Sequence, residues 1–231
     1  MSEDQPVLVI TGASTGIGAQ TARRAVEAGW QVVLGARSED KLNALAEELG
    51  GDEHAIALRC DVREWEDQKA LVQAALDRFG ALDAIFANAG FGAKRGFLEE
   101  SPEFWRDMID TNVYGCALTI RAALTHFREK NAGHFLITSS VAGRLNLPGS
   151  LYSASKHAVT AMGHSLRAEV ADTPIRVTLI EPGAVDTPFF DNAPSTALEA
   201  DDVARAVMYA LAQPPGVEIN ELLVRPVTQP T

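Results

Sequence analysis

"PVLVITGASTGIGAQTARRAVEAG", residues 6–29, runs from an apolar strand through a glycine-rich turn into an amphipathic helix. Glycines in such a turn let the backbone bend tightly and come close to a ligand. The N-terminus of the helix that follows offers free N–H groups and the positive end of its dipole to phosphates. The spacing is GxxxGxG rather than GxGxxG, a weak pattern by itself, because purely structural glycine turns look the same. Its position between the first strand and the first helix makes it read as a dinucleotide cradle, formed by Thr11, Gly12, Ser14, Thr15, Gly16, Ile17 and Gly18.

Outward from this unit the same alternation continues. Short apolar, β-branched runs at 31–36, 54–60, 82–88, 134–139, 175–181 and 221–225 read as strands, and amphipathic stretches at 39–49, 64–79, 103–130, 151–171 and 200–212 as helices, joining the helix at 17–28. Several strands are apolar at successive positions, as in a parallel sheet covered on both faces. The order predicts an α/β fold: a single doubly wound Rossmann domain over 1–231, core 5–225, with about seven parallel strands and helices on both faces. There is no repeat or linker to divide it. Two loops carry aromatics among small and polar residues, "GFGAKRGFLEES" (90–101) and "DTPFFDNAPSTALEA" (186–200). Ligands of such sheets bind beyond the carboxyl ends of the strands, so the second is expected to be the substrate loop, with Phe189 and Phe190 as apolar contacts.

The chain has 231 residues, 46% hydrophobic and 22% charged, with a net charge of −11. That charge repels polyanions, so nucleic acid is not an expected partner. Cys60 and Cys116 are too few and too far apart for a disulfide framework or a CxxC site and read as packing residues. The opening "MSEDQ" is polar and acidic, and no apolar run is long enough to cross a bilayer, so a cytoplasmic protein without a membrane partner is expected. The five histidines are scattered without ligand spacing, so no metal site is expected, and no G-x-S-x-G brackets Ser139 or Ser140, so neither is a serine hydrolase.

The second strand ends in "LGARS", where NAD-binding sheets carry an acidic residue for the ribose 2′-hydroxyl. Here Arg37 and Ser38 stand instead. A guanidinium in place of a carboxylate suits a 2′-phosphate, which favours NADP(H) over NAD(H). Farther on, "SLYSASKHAV" (150–159) sets Tyr152 one helical turn ahead of Lys156, on the same face. A neighbouring ammonium pulls a tyrosine pKa down, making it an acid or base near neutrality. Alone, the pair reads sooner as a core-edge tyrosine beside a solvated lysine, and the rest of the sequence decides.

Beyond these, the chain resembles the short-chain dehydrogenase/reductase family, NADP(H)-preferring branch, from about Pro6 to the last strand. The resemblance is carried by "TGASTGIG", "CDV" at 60–62, "NAG" at 88–90, "DTNVYG" at 110–115, "SSVAG" at 139–143, "YSASK" at 152–156 and "PGAVDT" at 182–187, all in the family's order. It implies that Tyr152 exchanges a proton with the substrate oxygen, that Lys156 lowers its pKa and holds the nicotinamide ribose, and that Ser140, with Ser139 second, bonds the reacting oxygen. Asn112 would distort its helix and hold a water that relays protons to Lys156. For the cofactor the resemblance implies Asp61 and Val62 at the adenine, Asn88, Ala89 and Gly90 at a ribose, Val185 and Thr187 at the carboxamide, and a turn at Pro182 and Gly183.

The step from Ser140 to Tyr152 is 12 residues, one fewer than in many members, so a shorter path through "RLNLPGSL" is expected. The ending "INELLVRPVTQ" resembles a branch that includes NADP-dependent 3-hydroxy acid and serine dehydrogenases. The expected function is an NADP(H)-dependent oxidoreductase interconverting a carbonyl and a secondary alcohol on a small or medium substrate. A non-catalytic NADP(H)-binding sensor or interaction protein on the same fold is the alternative. Membership implies a homotetramer or homodimer built on the helices near 103–130 and 151–171.

Overall fold

The structure, a computed structural model, describes residues 5–189 and 193–229. Seven strands form one parallel sheet in the order β3-β2-β1-β4-β5-β6-β9. These are β1 (Val7–Thr11), β2 (Gln31–Ala36), β3 (Ala55–Arg59), β4 (Ala84–Ala87), β5 (Gly133–Thr138), β6 (Ile175–Pro182) and β9 (Glu221–Val224). The expected α/β architecture is therefore observed. The continuous apolar runs have the anticipated cause: all five residues of β1 are buried. Leu8 and Ile10 face one core and Val7 and Val9 the other. Helices α1 (Gly16–Glu27), α2 (Glu39–Glu48) and α7 (Ala200–Leu211) cover the first face, and α3 (Trp65–Phe79), α5 (Cys116–Lys130) and α6 (Leu151–Glu169) the second.

β1 pairs with β2 on one side and β4 on the other, so the connections leave it in opposite directions and open a crevice at its carboxyl end. Everything chemical in the sequence converges on that crevice.

Two elements differ from the sequence reading. The helix expected over 103–130 is interrupted. α4 (Pro102–Ile109), capped by Ser101 whose Oγ accepts from the Phe104 N–H at 3.2 Å, passes into a π-helical turn over Asp110–Gly115 and then into α5. The stretch "DTNVYG" has no helix breaker at its centre, so periodicity runs through it unmarked. The loop expected at 186–200 is closed at its base, because β7 (Val185–Asp186) and β8 (Leu198–Glu199) pair in parallel around it. Both cysteines are buried and unlinked, as packing residues would be. No helix among the described residues is long and apolar enough to cross a membrane.

Candidate active site

The carboxyl ends of β1, β4, β5 and β6 open into a cavity of about 880 Å³. Every residue expected at the cofactor or the chemistry lines it, except Thr11, Gly18 and Asn112, which stand directly behind. Thr11 holds the first wall: its Oγ1 donates to the Phe86 carbonyl at 3.3 Å and accepts from the N–H groups of Asn88 and Ala89 at 3.1 and 3.3 Å. Gly12 takes φ +68°, and a Cβ there would lie 2.8 Å from the Ala89 Cα, so the turns after β1 and β4 meet backbone to backbone. Gly18 sits under that turn, where a Cβ would come within 2.4 Å of the Gly12 oxygen. The Asn88 Nδ2 donates to the Thr11 and Gly12 carbonyls at 3.2 and 3.4 Å, and its Oδ1 accepts from Thr138 Oγ1 at 3.1 Å, tying the ends of β1, β4 and β5 together.

Beyond β2, the cavity is lined by Arg37, Ser38 and Lys41, and beyond β3 by Asp61, Val62 and Arg63. The Arg63 guanidinium takes the Asp61 carboxylate at 2.7 Å and reaches Asp107 at 3.2 Å. Its hydrogen bond holds the Asp61 carboxyl below its ordinary range. Neither Arg37 nor Lys41 forms an ion pair with a described carboxylate. Lys41 and Arg63 escaped the sequence reading: nothing distinguishes either from a solvated helix or turn cation until the fold places it.

At the other end, Ser150 caps α6 by accepting from the Ser153 N–H at 3.0 Å, which sets Tyr152 in the first turn and Lys156 one turn on. Lys156 is buried, and its Nζ donates to the Thr138 carbonyl at 2.8 Å while standing 5.9 Å from the Tyr152 ring centre. The expected direction of the tyrosine shift is reversed. Burial dominates and pushes the Tyr152 phenol up to about 12, with the Ser140 hydroxyl bonded to it the only opposing influence. The same burial pushes Lys156 down to about 8. The ammonium is turned to Thr138 rather than to the phenol, and desolvation of the phenolate outweighs its attraction.

The two candidate serines separate cleanly. Ser139 Oγ is turned into α6, 2.6 Å from Thr160 Oγ1 and bonded to the Lys156 carbonyl at 3.2 Å. Ser140 Oγ lines the cavity beside Tyr152 and accepts from the Ala142 N–H at 3.1 Å. The short path between Ser140 and Tyr152 runs through a 3-10 turn at Val141–Gly143, which Ser153 Oγ fastens, its one proton lying within reach of the Ala142 and Leu145 carbonyls at 2.7 and 2.6 Å. Asn112, in the π turn, exchanges two bonds with one backbone residue: its Oδ1 accepts from the Phe91 N–H at 3.0 Å and its Nδ2 donates to the Phe91 carbonyl at 2.9 Å.

The remaining wall is largely apolar. Phe91 meets Phe104 edge-on with ring centres 5.4 Å apart, and Phe189 meets Tyr152 likewise at 5.4 Å. Phe190, expected beside it, lies outside the described residues. Leu147, Arg95 and Gln229 also line the cavity. Gln229 was missed by the sequence reading. The tail after β9 folds back so that its Oε1 accepts from the Ala184 N–H at 2.9 Å.

The short chain dehydrogenase family profile matches residues 6–197. An uncharacterized oxidoreductase of Staphylococcus haemolyticus is 38% identical over 96% of this chain and 97% of its own. Among solved structures, an alcohol dehydrogenase from the archaeon Thermococcus sibiricus, complexed with 5-hydroxy-NADP, superposes with a TM-score of 0.90 at 33% identity, covering 98% of this chain and 99% of that one. Serine dehydrogenase from Escherichia coli gives 0.88 at 32%, covering 97% of this chain and all of its own. With the sheet order, the crevice and these matches along nearly its whole length, the chain belongs to the short-chain dehydrogenase/reductase family of oxidoreductases.

Proposed function

We propose that the protein is an NADP(H)-dependent oxidoreductase interconverting a carbonyl and a secondary alcohol of a small or medium substrate. The observation that carries this is the convergence of Ser140, Tyr152 and Lys156 on one cavity whose far end presents Arg37, Ser38 and Lys41. The residues fit the cofactor. The floor at Gly12 and Gly18 has no room for a Cβ, leaving bare backbone for a pyrophosphate, and the cations beyond β2 suit a 2′-phosphate. The alcohol dehydrogenase from Thermococcus sibiricus, with its NADP derivative, agrees with that choice.

When bound, the nicotinamide supplies or takes the hydride at the reacting carbon. Tyr152 keeps its proton throughout the neutral range and gives it to the carbonyl oxygen as charge develops there. Ser140 donates a second hydrogen bond to that oxygen. Lys156 spends one N–H on Thr138 and keeps two for the ribose hydroxyls, while its charge steadies the tyrosinate left after transfer. Asn112 holds Phe91, and with it the loop roof, in place. Asp61 and Val62 meet the adenine, Asn88, Ala89 and Gly90 a ribose, and Val185 and Thr187 the carboxamide beside the Pro182–Gly183 turn. The segment 186–200 is the substrate loop, on a core spanning 5–225. A homo-oligomer is assigned to the outer helices, where Tyr114 is exposed.

The test is a fluorescence titration with NADPH and NADH, followed by a carbonyl panel read as loss of reduced-cofactor absorbance. Tight NADPH binding with turnover is expected, and Tyr152→Phe should keep the binding while turnover falls about 10²- to 10⁴-fold. Binding without turnover across the panel would transfer the protein to the sensor reading.

A further inference from the structure

The turn that leaves β6 walls the cavity beside the reacting residues. Pro182, Gly183 and Ala184 all line it, and the Pro182 carbonyl is the one that the Ser140 hydroxyl reaches, at 3.4 Å. A turn of this kind frees backbone groups that must find partners elsewhere. Two successive N–H groups find theirs in the tail after β9. Gly183 donates to the Val224 carbonyl at 2.7 Å, where the β6–β9 pairing ends. Ala184 donates to the Oε1 of Gln229, 45 residues farther along the chain, at 2.9 Å. The Ala184 carbonyl accepts from the Leu198 N–H at 2.9 Å, so this one residue joins the tail to the base of the loop at 186–200.

The tail is shaped for that contact. Its chain turns over Pro226–Gln229, where the Gln229 N–H donates to the Pro226 carbonyl at 3.0 Å. Pro226 is buried, Val227 at the crest is fully exposed, and Gln229 comes back into the cavity lining. Gly183 leaves the space for it: a Cβ there would collide with Gln229 Oε1 and stand 3.1 Å from Pro226 Cδ. The amide therefore lies across a bare peptide, and among the described residues the Ala184 N–H has no other acceptor. A backbone N–H deprived of its partner in such a wall turns toward another, and the peptide moves with it.

We propose that Gln229 is a positioning residue for the nicotinamide half of the cofactor. Through its Oε1 it fixes the Gly183–Ala184 peptide, and with it the residues that follow at the carboxamide, Val185 and Thr187. This rests on the cofactor reading above. Gln229 acts through Ala184, and its side chain takes no part in hydride or proton transfer.

The test is calorimetric titration of the wild type, Gln229→Met and Gln229→Glu with NADPH and with adenosine 2′,5′-bisphosphate, which carries the 2′-phosphate end and lacks the nicotinamide. Methionine keeps the length of the side chain without its oxygen, whereas glutamate keeps an acceptor and gives up the amide donor. Gln229→Met is expected to bind NADPH about five- to tenfold more weakly, with the Kd of the bisphosphate unmoved. Gln229→Glu should stay within about twofold of the wild type on both ligands, because the Ala184 N–H still has its acceptor. Three results would overturn the assignment while leaving the cofactor reading intact. Weakening of both ligands alike by Gln229→Met would mark a general loosening of the fold, and no change in either would leave the contact without consequence. A glutamate variant as weak on NADPH as the methionine one would transfer the effect to the amide donor. Wild-type protein that binds neither ligand would instead remove the cofactor reading and this assignment together.

Discussion

At Tyr152 and Lys156 burial sets the order of titration, with the phenol up at about 12 and the ammonium down at about 8. Carbonyl reduction should therefore hold level through neutral pH and fall above about pH 8 as Lys156 loses the proton that steadies the nascent tyrosinate. A pH profile of kcat checks this, and Lys156→Met should be slow everywhere and lack that limb. The sequence reading had the tyrosine shift in the wrong direction because spacing along a helix shows which groups are neighbours, whereas desolvation depends on walls contributed by distant strands. A second buried group governs stability. His134 is buried, with Nε2 2.8 Å from Thr178 Oγ1 and Nδ1 unpartnered, and burial pushes it from 6.5 down to about 3. Between those values the unfolded chain binds the proton and the native one does not, so stability declines as pH falls below about 6.5, by up to about 1.4 kcal/mol per unit from this group. Urea denaturation from pH 7 to 4.5 should show that loss, and His134→Gln should flatten it. An unchanged slope in the variant would remove His134 as the cause.

Among the elements, strands and most helices were legible because apolar runs and 3.6-residue patterns reflect burial directly. β1 and α1 fall within a residue of the reading, and so does the start of α6, capped by Ser150. The π turn at Asp110–Gly115 was not legible from periodicity, since one extra residue per turn leaves composition unchanged; only the family resemblance pointed to Asn112. That turn aims the Asn112 amide at Phe91, 21 residues earlier in the chain, so Asn112→Ala should strip partners from both backbone groups of Phe91. A destabilisation of about 1–3 kcal/mol is expected, with faster hydrogen exchange confined first to the loop after β4. Global loss with no local loosening at Phe91 would show that the asparagine serves the helix alone. Gly18 makes the complementary case in α1. A Cβ 2.4 Å from the Gly12 oxygen must displace the turn, so Gly18→Ala should weaken NADPH binding well beyond its effect on folding, as parallel titration and melting would record.

On the scale of the whole molecule, the cavity gathers residues from six strand ends, the α6 cap and the returning tail. Those next to motifs could be named from sequence. Gln229 and Arg95 could not, because each owes its place to a contact far along the chain, Gln229 to its own bond to Ala184 and Arg95 to the bond of the next residue, Gly96, to Gly149. The assembled cavity also couples cofactor to fold. Arg37, Ser38 and Lys41 end β2 and begin α2, Gly12–Ile17 end β1 and begin α1, and a dinucleotide lying across both adds a tie between units that the sheet, the shared core and the Arg23–Glu48 ion pair already join. At a hundredfold excess over Kd, NADPH should stabilise the native state by about 2.7 kcal/mol. For a domain of this size that raises Tm by roughly 5–10 °C. NADH at the same concentration should do much less, because it offers Arg37 and Lys41 no phosphate. Arg37→Glu restores the carboxylate that NAD-binding sheets carry at this point, so the NADPH shift should shrink and the NADH shift grow until their order reverses. Equal shifts from both cofactors in the wild type would mean that Arg37 is an ordinary strand-end cation and that the preference lies elsewhere in the lining.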